Sequence, residues 1–156
     1  MFQLRDRIAL VTGAGRGIGR AIAQGYAAAG AKVAITARSE NELNEVGEMI
    51  RSKGGDVYWV KADLVDRSAP ANIVRQVSEH YGPIDILVNN AGVGSSINPK
   101  QFIDFDDATW DLSLAINLTA PYLLCKLVLP DMVAKQYGRI IMTASISSKS
   151  GCVHGV

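Results

Sequence analysis

Thr12-Gly13-Ala14-Gly15-Arg16-Gly17-Ile18-Gly19 is the stretch on which the reading of this fold turns. Ile8–Thr12 forms a short apolar run that ends in glycines, as a buried strand should. After the glycines, apolar or small residues fall at Ile18, Ala21, Ile22, Gly25, Tyr26 and Ala29, which is the helical period. Gly30 closes that helix. Strand, glycine turn and helix in that order form a cradle for the phosphates of a dinucleotide. Glycine accepts positive φ and lets the backbone approach a pyrophosphate closely. The free N–H groups and the dipole at the helix start attract the anion. The strict GxGxxG spacing is not met, because Ile18 stands where the third glycine would be; glycines at 13, 17 and 19 fit a longer variant. A glycine-rich connection with no ligand is the competing reading, and the strand before and the helix after weigh against it.

Working outward, strands and helices alternate. Lys32–Thr36 reads as the second strand, and a charged helix starts at Ser39, runs to about Lys53 and stops at Gly54-Gly55. Val57–Lys61 is the third strand, followed by a helix from about Asp66 to Tyr81 that ends at Gly82-Pro83. Ile84–Asn89 is the fourth strand; a polar loop then leads to one long helix, Asp107 to Gln136, and Arg139–Thr143 is the fifth strand. Such alternation predicts an α/β fold, a doubly wound parallel sheet with helices on both faces and right-handed crossovers. The expected strand order is 3-2-1-4-5, within one domain over residues 1–156. Ligands then bind at the C-terminal strand ends, where the order reverses between the first and fourth strands.

The end of the second strand selects the cofactor. An NAD site needs a carboxylate there for the ribose hydroxyl, about twenty residues past the turn. This chain has Ala37-Arg38-Ser39 instead. Arg38 suits bidentate bonding to a 2′-phosphate, Ser39 adds a hydroxyl, and Arg16 adds charge from the turn. The expectation is NADP(H), with NAD the weaker candidate. A solvated role for Arg38 is the competing reading.

Composition narrows the classes. Of 156 residues, 48% are hydrophobic, so a folded core is expected rather than disorder. Sixteen basic against fifteen acidic residues leave a formal charge of +1, which favours neither nucleic acid nor an anionic membrane as partner. Cys125 and Cys152 lack CxxC spacing, and His80 and His154 are far apart, so no metal site is expected and the cytoplasm suits the chain. Arg5, Asp6 and Arg7 follow Met1 closely, with no apolar run of secretory length. The longest apolar stretch, Leu112 to Val133, is interrupted by Asn117, Pro121, Lys126 and Asp131, and reads as a buried helix rather than a membrane span.

Taken together, Thr12-Gly-x-x-x-Gly-x-Gly19, Asp63, Asn89-Asn90-Ala91-Gly92, Asn117 and Ser145 resemble the short-chain dehydrogenase/reductases, over the whole chain. The resemblance implies a Rossmann-like, NADP-dependent oxidoreductase acting on a small-molecule carbonyl or alcohol. It implies that Gly13, Gly15, Arg16, Gly17, Ile18 and Gly19 cradle the cofactor. Asp63 and the backbone at Leu64 would hold the adenine ring; an N-cap for the next helix is the other use of Asp63. Asn90, Ala91 and Gly92 would line the ribose and nicotinamide side, though a tight turn uses the same residue types. Ser145, in a segment crowded by Ser147, Ser148 and Ser150, would hydrogen-bond the reacting oxygen of the substrate. The family's dimers and tetramers imply a homo-oligomer packed through the Asn117 helix.

Asn117 has a reading of its own. It lies four residues before Pro121, whose missing N–H deprives the Asn117 carbonyl of its ordinary helical partner. That carbonyl must bond water or another group. The family's matching asparagine holds a proton-relay water through its main chain; a kink that serves packing is the alternative. The resemblance also implies a catalytic tyrosine, and a lysine four residues later, about a dozen residues after the serine. Val156 falls short of that place, so the sheet is expected to stop before the family's last two strands. Tyr122 and Lys126 match the YxxxK pattern but lie on the Asn117 helix, and the expectation is that they are not that pair. Two functions follow: the N-terminal portion of an oxidoreductase that is inactive without the rest, or a nucleotide-binding module without catalysis.

Overall fold

The structure, a computed structural model, describes residues 3–94 and 101–145. Its five strands are β1 (Ile8–Thr12), β2 (Lys32–Ala37), β3 (Asp56–Lys61), β4 (Ile86–Asn89) and β5 (Arg139–Met142). They form one parallel sheet in the order β3-β2-β1-β4-β5. The expected order reversal between β1 and β4 is present, with Leu10 beside Ala34 on one side and Leu87 on the other.

Side chains alternate across a strand, so each strand feeds two cores. Ala9, Val11, Val33 and Ile35 face α1 (Gly17–Ala28) and α2 (Glu40–Arg51), and bury Ala23, Leu43, Val46 and Ile50. Leu10, Ala34 and Leu87 face the other way, against Ile73 and Val77 of α3 (Ala69–Tyr81) and against Leu124, Val128 and Met132 of the last helix. All of β1 is buried, which explains its unbroken apolar sequence. One buried charge ties the bottom of the sheet together. Asp85 accepts from the Ile8 N–H at 3.1 Å and from Lys135 Nζ at 3.2 Å.

Three helix boundaries differ from the sequence expectation through a side-chain hydrogen bond or a proline, and the ends of β2, β3, β4 and β5 differ as well. α2 starts at Glu40, with Ser39 outside it as the cap, its Oγ accepting from the Glu42 N–H. α3 starts at Ala69, because Asp66 closes a turn by accepting from the N–H and Oγ of Ser68 at 2.8 Å. The expected single long helix is two helices with a π turn between them: α4 (Asp107–Leu114), the turn Ala115–Thr119, and α5 (Ala120–Ala134). Within it the Ala120 N–H reaches back five residues to the Ala115 carbonyl. Pro121 has no N–H to give Asn117, and a π register is one way a helix absorbs such a gap.

By length and composition the helical run Asp107–Ala134 could cross a membrane, and 22% of its most apolar window is buried. The expectation of a buried helix therefore holds for one stripe only: Ile116, Ala120, Leu124, Val128 and Met132 pack into the core. Leu118, Tyr122, Leu129 and Val133 are exposed.

Candidate functional site

A cleft of about 760 Å³ opens at the C-terminal ends of the strands. It is lined by Gly13, Gly15, Arg16 and Ile18 of the turn, by Arg38 and Ser39 after β2, by Asp63 and Leu64 after β3, and by Asn90, Ala91 and Gly92 after β4. Most of the site residues expected from sequence thus share one cavity. Gly17 begins α1 with φ +57°, and Gly19 lies buried in its first turn.

Two polar residues hold the turn against β4. Thr12 Oγ1 accepts from the N–H groups of Asn90 and Ala91, both at 3.0 Å, and donates to the Val88 carbonyl at 3.3 Å. Asn90 Nδ2 donates to the carbonyls of Thr12 at 3.0 Å and Gly13 at 3.3 Å. The side chain of Asn90 therefore supports the turn while its residue lines the cleft. Glycine is required where these segments meet. A Cβ on Gly13, at φ +64°, would lie 2.8 Å from Ala91 Cα.

The turn's charge is not spent internally. The N-cap of α1 is Arg16, which makes no side-chain cap, and the first turn of α1 has no acidic residue. The helix start therefore presents bare N–H groups and the positive end of its dipole to the cleft. Among the described residues, neither Arg16 nor Arg38 forms an ion pair. Ser39 Oγ accepts from Glu42 N–H at 3.3 Å, which leaves its hydroxyl proton to donate elsewhere. These are the groups that would hold a dianionic phosphate, and their fit to a phosphorylated dinucleotide rests on this geometry.

Asp63 does not cap α3, since Ser68 holds that position. Its Oδ1 accepts from the Val65 N–H at 3.1 Å, so one carboxylate oxygen shapes the turn and the exposed side chain faces the cleft mouth. Asn117 stands outside the cavity lining but is bound to it. Its Nδ2 donates to the Val93 carbonyl at 2.8 Å and to Ser113 Oγ at 3.1 Å, and its Oδ1 accepts from the Val93 N–H at 3.0 Å. The sequence reading dealt with the carbonyl of Asn117 and missed this side-chain clamp on the loop after β4.

Ser145 is exposed just past β5 and does not line the cleft. β5 continues the ladder as the Thr143 N–H donates to the Asn89 carbonyl at 3.0 Å. Tyr122 and Lys126 are exposed on α5 and also stand away from the cleft lining. Cys125 is half-buried beside Asn89, and burial pushes its thiol above the ordinary range. Among the described residues no group of three or more His, Cys, Asp or Glu could hold a metal. Cys152, His154, Ser147, Ser148 and Ser150 lie outside the described residues.

Sequence reasoning missed the role of the Thr12 hydroxyl, and missed Thr36 and Glu42. A threonine at the end of an all-apolar buried strand is the available signal for Thr12. Thr36 lines the cleft and is 1% exposed, and its Oγ1 has no partner among the described residues. Glu42 lay inside what reads as an ordinary charged helix face.

The family model for short chain dehydrogenases matches residues 7–156. An uncharacterized oxidoreductase of Thermotoga maritima is 39% identical over 91% of this chain and 54% of its own length. The 3-oxoacyl-acyl-carrier-protein reductase of Escherichia coli is 36% identical over 93% of this chain and 57% of its own. A crystal structure of a metagenomic short-chain oxidoreductase in complex with NADP superposes with a TM-score of 0.87 at 39% identity, over 94% of this chain and 65% of that one. The chain belongs to the short-chain dehydrogenase family of oxidoreductases. It spans about half the length of the curated relatives it matches.

Proposed function

We propose that this chain is the cofactor-binding portion of an NADP(H)-dependent oxidoreductase acting on a carbonyl or alcohol of a small molecule. The observation that carries the reading is the pair of guanidinium groups, Arg16 and Arg38, which form no ion pair among the described residues, at a cleft whose β2 end carries Ala37 rather than a carboxylate. Arg38 and the Ser39 hydroxyl would hold the 2′-phosphate, with Arg16 adding charge from the turn. Bare N–H groups at the start of α1 would hold the pyrophosphate. Asp63 and Leu64 would meet the adenine, and Asn90, Ala91 and Gly92 the ribose and nicotinamide side. The bound cofactor supplies or accepts a hydride. Ser145 would hydrogen-bond the substrate oxygen, and Asn117 would fix the loop after β4 while its carbonyl holds a relay water. The relative in complex with NADP supports the cofactor assignment.

The proposal extends to a cytoplasmic homo-oligomer, supported by cysteines without pairing spacing and by the exposed apolar stripe of α5. It also holds that residues 1–156 alone bind cofactor without turning it over. Calorimetric titration of the purified chain tests the reading. NADP+ is expected to bind at least about tenfold more tightly than NAD+, a difference the size of one charge-assisted contact. Comparable Kd values for the two refute the preference.

A further inference from the structure

Glu42 places a carboxylate inside the cleft, on the same wall as the arginines. It lies in the first turn of α2 and is half-buried. Its own N–H is held by Ser39 Oγ, so its backbone is fixed to the cap that the phosphate reading uses. A Cβ built on Gly15 would lie 2.6 Å from Glu42 Oε2, 2.9 Å from Glu42 Cβ and 3.3 Å from Ala37 Cβ. The carboxylate therefore packs directly on the backbone of the glycine turn, at the place where β2 ends. It lines the cleft with Arg16, Arg38 and Ser39, and among the described residues it forms no ion pair with either arginine.

A carboxylate there acts oppositely on the two cofactors. It repels a dianionic 2′-phosphate through the partly desolvated cleft. A carboxylate is also an acceptor, and a free 2′-hydroxyl is a donor it can satisfy. We propose that Glu42 sets the degree of cofactor discrimination: it lowers the affinity that Arg16 and Arg38 give to NADP(H) and supports binding of NAD(H). This rests on the reading that the arginines face the adenosine ribose. Gly15 leaves the room the carboxylate occupies, since a Cβ at 15 would meet it at 2.6 Å.

Calorimetric titration of the purified chain with NADP+ and with NAD+, at low and at high salt, tests the inference. Glu42→Gln keeps the shape and removes the charge. It is expected to tighten NADP+ by about tenfold at low salt, less at high salt, and to weaken NAD+. Glu42→Ala removes the same charge and reads the same way if the glutamine variant does not fold. Arg38→Ala separates the two ideas. If it leaves the ratio of NADP+ to NAD+ affinity unmoved, the arginine reading fails and the inference with it. If it collapses that ratio while both Glu42 variants shift the two cofactors equally or not at all, the inference alone is overturned.

Discussion

Gly19→Ala tests how tightly the turn is built. Gly19 is buried in the first turn of α1, against the turn's own carbonyls. A methyl there would lie inside contact distance of the Gly13 carbonyl oxygen, 2.9 Å from that carbonyl's carbon and 2.5 Å from Asn90 Nδ2. Two carbons need about 3.5 Å, so at least about 0.6 Å must be found. The Gly13 carbonyl is main chain and cannot rotate away. Asn90 cannot move freely either, because its Nδ2 holds Thr12 and Gly13. The shift therefore falls on the turn. Overpacking of this kind costs about 1–3 kcal/mol. Taking about 2 kcal/mol, the melting temperature of a chain this size should drop by about 4–8 °C. The phosphate cradle moves with the turn, so NADP+ affinity should fall by at least about tenfold, since sub-ångström misplacement of binding groups is expensive. Thermal denaturation by circular dichroism gives the first number and calorimetric titration the second. A variant that melts within about 1 °C of the parent and binds NADP+ equally would refute the packing argument.

Asp85→Ala should lower stability by about 2–3 kcal/mol, read as the urea midpoint, because it strands the Ile8 N–H and takes the counter-charge from Lys135, which keeps the Pro83 carbonyl. The Tyr81 phenol is held protonated, first by its burial and then by its hydrogen bond to the Asp56 carboxylate. Its folded pKa is raised, so that contribution is whole below about pH 10 and is lost as pH rises further. Tyr81→Phe should be less stable at neutral pH and should flatten the alkaline limb of a pH–stability curve; an unchanged alkaline limb would contradict this. Cys125, with its thiol raised by burial, should react with iodoacetamide at least about tenfold more slowly in the native chain than in urea, followed by peptide mass mapping.

The sheet was legible in the sequence because its signals are local and redundant. Unbroken apolar runs, glycine stops and helical periods each point to the same order of elements, and β1 to β5 follow them. The cavity was legible because a doubly wound sheet gathers the residues after its strands at one end. What escaped depends on contacts between distant segments. Nothing near Asn117 in sequence says that its amide meets Val93. The glutamate in α2 looks like any solvated helix residue until β2 and the glycine turn are placed beside it. Pro121 does signal a lost bond at Asn117, but proline chemistry alone does not select among the ways a helix can absorb it, and here it is a π turn at Ala115–Thr119. Ser145 follows the last apolar run closely in sequence, and it stands just past β5 in the structure.

The pairing of Asn117 with Val93 has a mechanical meaning. By giving and taking one hydrogen bond each way, the amide treats the loop as a neighbouring strand would, and it welds a helix to the floor of the cavity. Gly92 lies against that joint: a Cβ there would come 3.1 Å from Asn117 Oδ1. The loop after β4 is therefore tied to the π turn at both the donor and the acceptor of one backbone unit. Asn117→Asp would leave half of the joint, since a carboxylate accepts but does not donate. The Val93 N–H bond would remain, while a carboxylate oxygen would face the Val93 carbonyl, two acceptors with no proton between them.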